Sequence, residues 1–140
     1  LDSHTNNIKA GKNILLREGH DLTIVALGPS LRTAIAVADL LGASGVSTEV
    51  IYAHTFKPFD FESVCESVRK TSNLVTISQL STVGGLGALC LEAISGKFPF
   101  QYLNFEIETF IRGYGEVGDL NKKAKHSSIH ISGKVLEMLK

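Results

Sequence analysis

Tryptophan is absent from this 140-residue chain, methionine occurs once, proline three times and cysteine only twice. Cys65 and Cys90 stand far apart and form neither a C-x-x-C redox pair nor a metal-ligand spacing. Both lie in apolar surroundings, so the expectation is two buried free thiols in a reducing compartment rather than a disulfide. Net charge is missing as well. Fourteen basic residues balance fourteen acidic ones, which leaves no overall field to draw the chain to nucleic acid or anionic lipid. No apolar run nears the ~20 residues that span a bilayer, and Leu1-Asp2-Ser3-His4 is not the charged-then-apolar opening of a signal peptide. The chain does not begin with Met and is expected to be a portion of something longer. Together these absences predict a soluble, cytoplasmic chain with no nucleic-acid or membrane partner.

What is present is enough for a core. Hydrophobic residues make up 44% and charged ones 20%, which excludes a disordered tail. The length suits a single domain, and a chain of this size buries about two-thirds of its unfolded surface without metals or disulfides. Residues 1–12 are polar and read as a linker, leaving 13–140 as the domain.

Asn13–Gly19 is a short strand candidate closed by a turn at Gly19-His20-Asp21. Leu22–Leu27 is almost wholly apolar over strand length, which implies burial on both faces of a sheet covered by helices. After Gly28-Pro29-Ser30, the residues Leu31, Ala34, Ile35, Ala38 and Leu41 recur at helical spacing, with Ser30 as expected N-cap and Gly42 and Gly45 as the stop. The unit repeats: a strand at Thr48–Ala53, then a helix capped by Asp60 with Phe61, Val64, Cys65 and Val68 facing inward. A third core strand, Asn73–Ile77, leads through Gly84-Gly85-Leu86-Gly87 into an apolar helix. Tyr102–Ile107 alternates like a strand with one wetter face. Residues 113–128 read as a loop, and Ser132 is expected to cap a last helix.

Strands separated by helices imply right-handed crossovers and a mostly parallel sheet. The first strand is followed only by a tight turn, which cannot make a parallel crossover, so it should run antiparallel at an edge. The fold class is therefore α/β: a three-layer α/β/α sandwich on a mixed five-stranded sheet, mostly parallel, with the first strand antiparallel.

The glycines at the strand–helix junctions admit two readings. At Gly84, Gly85 and Gly87 they either let a buried helix start close against the sheet or bring helix N–H groups against an anion. The spacing is not GxGxxG and no Lys-Ser/Thr follows, so neither nucleotide fingerprint is complete. Gly28 and Ser30 flank a proline at the same kind of junction, where a tight turn and a phosphate site are the alternatives. His54 ends a core strand, where α/β ligands usually bind. His126 and His130 read as solvent-exposed loop residues rather than a metal pair, and Lys122, Lys123 and Lys125 as a solvated loop. No GxSxG elbow or Cys/His/Asp arrangement supplies a nucleophile. No catalytic, cofactor-binding or metal-binding residue emerges.

Taken in order, Gly11-Lys12, Leu16-Arg17-Glu18-Gly19, Asp21–Gly28, Thr48–Ile51, Thr55-Phe56-Lys57-Pro58-Phe59-Asp60 and Gly84-Gly85-Leu86-Gly87 carry a resemblance. The chain resembles the C-terminal domain of the transketolase family of thiamine-diphosphate enzymes, over roughly residues 11–107. That family includes transketolase, deoxyxylulose-phosphate synthase and the beta subunits of 2-oxoacid dehydrogenases. The resemblance implies a mixed five-stranded sheet whose first strand is antiparallel. It also implies an intact enzyme, likened to a homodimer, that transfers two-carbon ketol units with thiamine diphosphate and magnesium held by other domains. In the family those domains carry a GDG…N metal motif and an activating glutamate, and no GDG occurs here. Where family members often carry acidic residues before the glycine turn, this chain has Ser78-Gln79-Leu80-Ser81.

The resemblance thus implies a domain that is inactive alone and serves to pack against other domains or subunits of its enzyme. The rival reading is a free-standing module that binds a small anion at Gly28–Ser30 or Gly84–Gly87. A third is a regulatory domain that answers an effector near His54.

Overall fold

The computed structural model describes residues 8–108, 114–116, 119–120, 122 and 126–140. Most of the expected amino-terminal linker, and Lys123 and Lys125 of the basic cluster, lie outside the described residues. Five strands form one sheet: β1 (Ile14–Arg17), β2 (Leu22–Ala26), β3 (Thr48–Tyr52), β4 (Asn73–Ser81) and β5 (Gln101–Ile107). The helices whose bounds lie within the described residues are α1 (Leu31–Ala43), α2 (Phe61–Thr71), α3 (Leu86–Ile94) and α4 (Ser128–Met138). The sheet order is β1-β3-β2-β4-β5.

The β2, β3, β4 and β5 strands run parallel, in registers such as Ile24↔Val50, Ile24↔Val75 and Val75↔Leu103. The β1 strand pairs antiparallel with β3 through Leu15↔Ile51, with a bulge before Arg17. Its place at the edge follows from the turn at Gly19, where an added Cβ would strike the backbone of Thr48 and Glu49. Lys12 and Asn13 are tied to the cap of α2: the Asn13 N–H donates to Asp60 Oδ2 at 3.0 Å, and Lys12 Nζ lies 3.7 Å from Asp60 Oδ1.

Period-two alternation sends the β-strand side chains to two cores. Leu22, Ile24 and Ala26, with Val50, Val75 and Ile77, pack under α1 and α4. Val25, Ile51 and Leu74 pack under α2 and α3 with Val64, Val68, Leu86 and Ile94. Each fully buried Leu, Ile or Val contributes about 1.5–3 kcal/mol over its exposed state. The central strands carry such residues on both faces, which explains their unbroken apolar runs.

Four local expectations are corrected. Ser30 does not cap α1. It closes a 3₁₀ turn, Gly28–Ser30, with helical φ and ψ and no side-chain cap bond. The buried stripe of α1 is Leu31, Ala34, Val37, Ala38 and Leu41, so Ile35 falls one step outside it and is partly exposed. Phe61 likewise turns outward from α2 and meets Phe59 edge-on, with ring centroids 5.2 Å apart. The last helix starts earlier than expected: Ser127 accepts the His130 N–H at 3.3 Å, while Ser132 lies inside the helix bonded back to the Ile129 carbonyl. Asp60 caps α2 as expected, accepting from the Ser63 N–H at 3.4 Å.

Candidate functional site

The carboxyl ends of the parallel strands gather the two strand–helix glycine junctions, Gly28 and Gly84–Gly87, and His54. After β2 the chain turns up to α1 on one face, and after β4 it turns to α3 on the other. β2 and β4 are neighbours, so their diverging exits form the topological switch point where open α/β sheets usually hold ligands. The six residues singled out from sequence do not form one site. Gly28 and Ser30 belong to the α1 face, Gly84, Gly85 and Gly87 to the α3 face, and His54 to the exit of β3.

At α3 the helix N-terminus is occupied by the protein itself. Glu106, the last buried residue of β5, accepts the Gly87 N–H at 3.1 Å and the Ser78 hydroxyl at 2.8 Å through Oε1. Its Oε2 accepts from Asn104 Nδ2 at 3.1 Å. Thr76 Oγ1 continues the network to Asn104 Oδ1 at 3.3 Å and to the Tyr102 hydroxyl at 3.0 Å. Burial pushes the Tyr102 phenol up to about 12, with the Thr76 bond opposing and the Glu106 charge adding to the rise. Burial, then Glu106, also pushes the Cys90 thiol up, so it stays protonated and inert. Cys65 and Cys90 are both buried and unbridged.

The glycines are required by this close approach. A Cβ on Gly85 would strike the Ser81 carbonyl oxygen and lie 2.8 Å from Glu106 Oε1, and one on Gly87 would strike the Tyr102 hydroxyl. Gly84 has φ +69°, in the left-handed region that favours glycine. These contacts account for the glycine turn by packing and by an internal carboxylate.

His54 donates or accepts at Nδ1 with Thr55 Oγ1 at 2.8 Å, and its buried Nε2 has no partner among the described residues. Its ring sits 5.9 Å from that of Tyr52.

The α1 face differs. A cavity of about 380 Å³ opens at the switch point, walled by Ser30, Arg32 and Thr33 from the start of α1, Ile77 and Gln79 from β4, and His126. His126 was expected in a solvent-exposed loop. It is instead 6% exposed, and its Nε2 has no partner among the described residues. Burial lowers its pKa, opposed by the Phe105 carbonyl and the Glu106 charge. Sequence reasoning missed Glu106 and His126, since neither sits in a motif and both owe their place to tertiary packing.

Among the described residues no group of three His, Cys, Asp or Glu side chains is placed to hold a metal. With no GDG motif either, the residues present do not fit a thiamine-diphosphate and magnesium centre, and no reaction step is derived through one. No described helix is long and apolar enough to cross a membrane.

The fold and its carboxyl-edge junctions define a mixed, doubly wound α/β domain with no metal-ligating cluster among its described residues. The family model "Transketolase, C-terminal domain" matches residues 11–114, and the chain belongs to that family. It is 37% identical over 118 residues to a 6-deoxy-6-sulfo-D-fructose transketolase subunit, SqwH, of Clostridium sp. strain MSTE9, spanning 84% of this chain and 36% of that protein. It is 34% identical over 108 residues to the pyruvate dehydrogenase E1 beta subunit of Rickettsia bellii, spanning 77% of this chain and 33% of the other. Among solved structures it is similar to a split-gene transketolase, an inactive beta4 tetramer, with TM-score 0.86 and 30% identity over 94% of this chain and 43% of that one. The chain thus spans about a third of the length of these two curated relatives.

Proposed function

We propose that this chain is the C-terminal domain of a transketolase-type enzyme that transfers two-carbon ketol units with thiamine diphosphate and magnesium, and that the domain packs rather than reacts. The observation that carries this reading is the family match over residues 11–114 in a chain that spans about a third of the length of two curated relatives. The chemistry then belongs to domains outside this one. A similar solved chain, a split-gene transketolase, is inactive as a beta4 tetramer, which supports a need for catalytic partners.

The docking surface is the carboxyl end of the sheet. The β4 strand runs on past its last partner on β2, Ala26↔Ile77, and continues to Ser81 paired only with Ile107 of β5. This extension presents Leu80, and Val83 beyond it is 90% exposed. Phe56, in the exit of β3, is also exposed at that end. Apolar groups left in water at one end of a sheet favour a partner that covers them. The partners are other domains or subunits of the same enzyme, assembled as a homodimer, and the two unbridged thiols fit a cytoplasmic setting.

The test is reconstitution. Titrating this chain alone with thiamine diphosphate and magnesium should give no heat of binding, and it should transfer no ketol unit. Mixed with the polypeptide that carries the diphosphate- and pyrimidine-binding domains, it should form a complex that Val83→Asp weakens without altering the domain's circular dichroism. Ketol transfer by this chain alone would overturn the reading.

A further inference from the structure

The outer face of α1 carries apolar side chains where another helix carries charge. At helical spacing its centre line is Arg32, Ala36, Asp39 and Ala43, opposite the buried stripe, with Ile35 and Leu40 on its two shoulders. Ile35 is 38% and Leu40 41% exposed, and Ala43 is exposed as well. On α2, by contrast, the exposed residues after Phe61 are all charged: Glu62, Glu66, Arg69 and Lys70. We propose that the outer face of α1 is the contact between two copies of this chain, packed antiparallel about a two-fold axis beside Ala36, with Arg32 of each copy on Asp39 of the other. The inference rests on the homodimer of the proposed function and names its contact.

Charge selects a second copy as the occupant. Arg32 is paired with no carboxylate among the described residues. Asp39 lies two turns further along the same face. Arg17 holds its Oδ1 at 2.6 Å, which fixes the carboxylate there and leaves Oδ2 for a second donor. A face with a cation at one end and an anion at the other matches itself when one copy is turned end for end, because residue i then meets j while j meets i. Parallel packing would set Arg32 on Arg32 and Asp39 on Asp39, like charge on like.

Size fits the same arrangement. The two charges stand about 10 Å apart along the helix axis, and their midpoint falls beside Ala36, whose short side chain lets two helices approach closely. The antiparallel turn also sets the two Ile35 side chains next to each other across the axis, where both leave water. One helix pair covers less than the ~800 Å² per partner of a standard interface. The chain alone should therefore associate weakly, with a dissociation constant of about 10 μM to 1 mM.

Sedimentation equilibrium of the whole chain up to about 1 mM tests this. Arg32→Glu and Asp39→Lys should each weaken self-association at least about tenfold, since symmetry repeats the repulsion. Mixed in equal amounts, these two variants should pair about as tightly as the unaltered chain, because both contacts across the axis again join unlike charges. Ile35→Asp should abolish the dimer. All three positions are exposed, so circular dichroism should not change. Val83→Asp, at the carboxyl end of the sheet, should leave self-association as it is. A chain that stays monomeric throughout would overturn the homodimer and this contact together. A dimer that survives Ile35→Asp, or that Val83→Asp disrupts, would leave the homodimer standing and overturn the contact at α1. Failure of the mixed variants to pair would overturn the antiparallel charge match.

Discussion

The Glu106 carboxylate accepts the Gly87 N–H at 3.1 Å, so a side chain from the last strand closes the N-terminus of a helix 19 residues earlier in the sequence. The same Oε1 takes the Ser78 hydroxyl, and the whole group is buried. A negative charge at a helix N-terminus is favourable, and here it also satisfies two donors that would otherwise be left unpaired. Glu106→Ala should therefore cost about 2–4 kcal/mol, because Ser78, Asn104 and Gly87 all lose their acceptor. Glu106→Gln keeps the volume and one oxygen but sets an amide N–H against Asn104, so its loss should be smaller. Urea unfolding of the two variants measures both, and equal losses would mean that the charge and second oxygen of the carboxylate decide, with the retained volume counting for nothing.

The two glycines above that carboxylate are predicted to differ. On Gly85 a Cβ meets a backbone carbonyl, which cannot give way, whereas on Gly87 the first obstacle is the hydroxyl of Tyr102. Overpacking a tight site typically costs about 1–3 kcal/mol, and alanine's better helix propensity returns at most ~1 kcal/mol. Gly85→Ala should lie at or beyond the upper end. Gly87→Ala should be partly rescued by Tyr102→Phe, giving a coupling of about 1 kcal/mol or more in a double-mutant cycle. An additive cycle would show that Tyr102 is not the obstacle.

How far these features could be read from the sequence depends on their range. The strand at Leu22–Ala26 and the antiparallel edge at β1 were legible because unbroken apolarity and a tight turn each leave one arrangement open. Asp60 was legible because capping is local. Ser30 was not, since a 3₁₀ turn ahead of α1 puts its backbone in helical geometry. The polar alternation of Tyr102, Asn104 and Glu106 showed a wetter face on β5, but nothing local says that this face meets the start of α3 instead of water. His126 was hidden for the same reason: its burial is a tertiary property that no local period encodes.

Glu49 on β3 is 3% exposed and held by Lys70 of α2, with the Gly19 N–H also donating at 3.3 Å. Burial alone would raise its pKa, but the bonds from Lys70, Ser67 and Gly19 outweigh it and the net direction is downward. A lowered carboxylate stabilises the fold above its unfolded value and loses that contribution as pH falls through the folded value. Lys70→Met should let burial win and destabilise the domain at neutral pH. The size should be about 1–2 kcal/mol, below that of a fully buried pair, because Lys70 is half exposed and water screens it. The deficit should shrink as pH falls below the ordinary glutamate value of about 4.3 and on through the lower folded value, below which Glu49 is protonated in both states. Chemical unfolding of both proteins across this range checks it, and a deficit independent of pH would assign the loss to packing of the lysine stem.

His126 gives a pH signature of the same sign at a higher pH. Burial pushes its pKa below the ordinary value of 6.5, against the pull of the Phe105 carbonyl and the Glu106 charge. Between the folded and unfolded values the unfolded chain binds more protons, so stability rises with pH there and is lost as pH falls through the unfolded value. The urea midpoint should therefore drop between about pH 7.5 and pH 5.5, on either side of the ordinary histidine value. His126→Gln removes the titrating ring while the other four histidines remain, so its midpoint should drop less over the same interval. An unchanged slope in the variant would assign the pH dependence to other groups. A steeper one would mean that the folded state prefers the charged ring, with the Glu106 field outweighing burial.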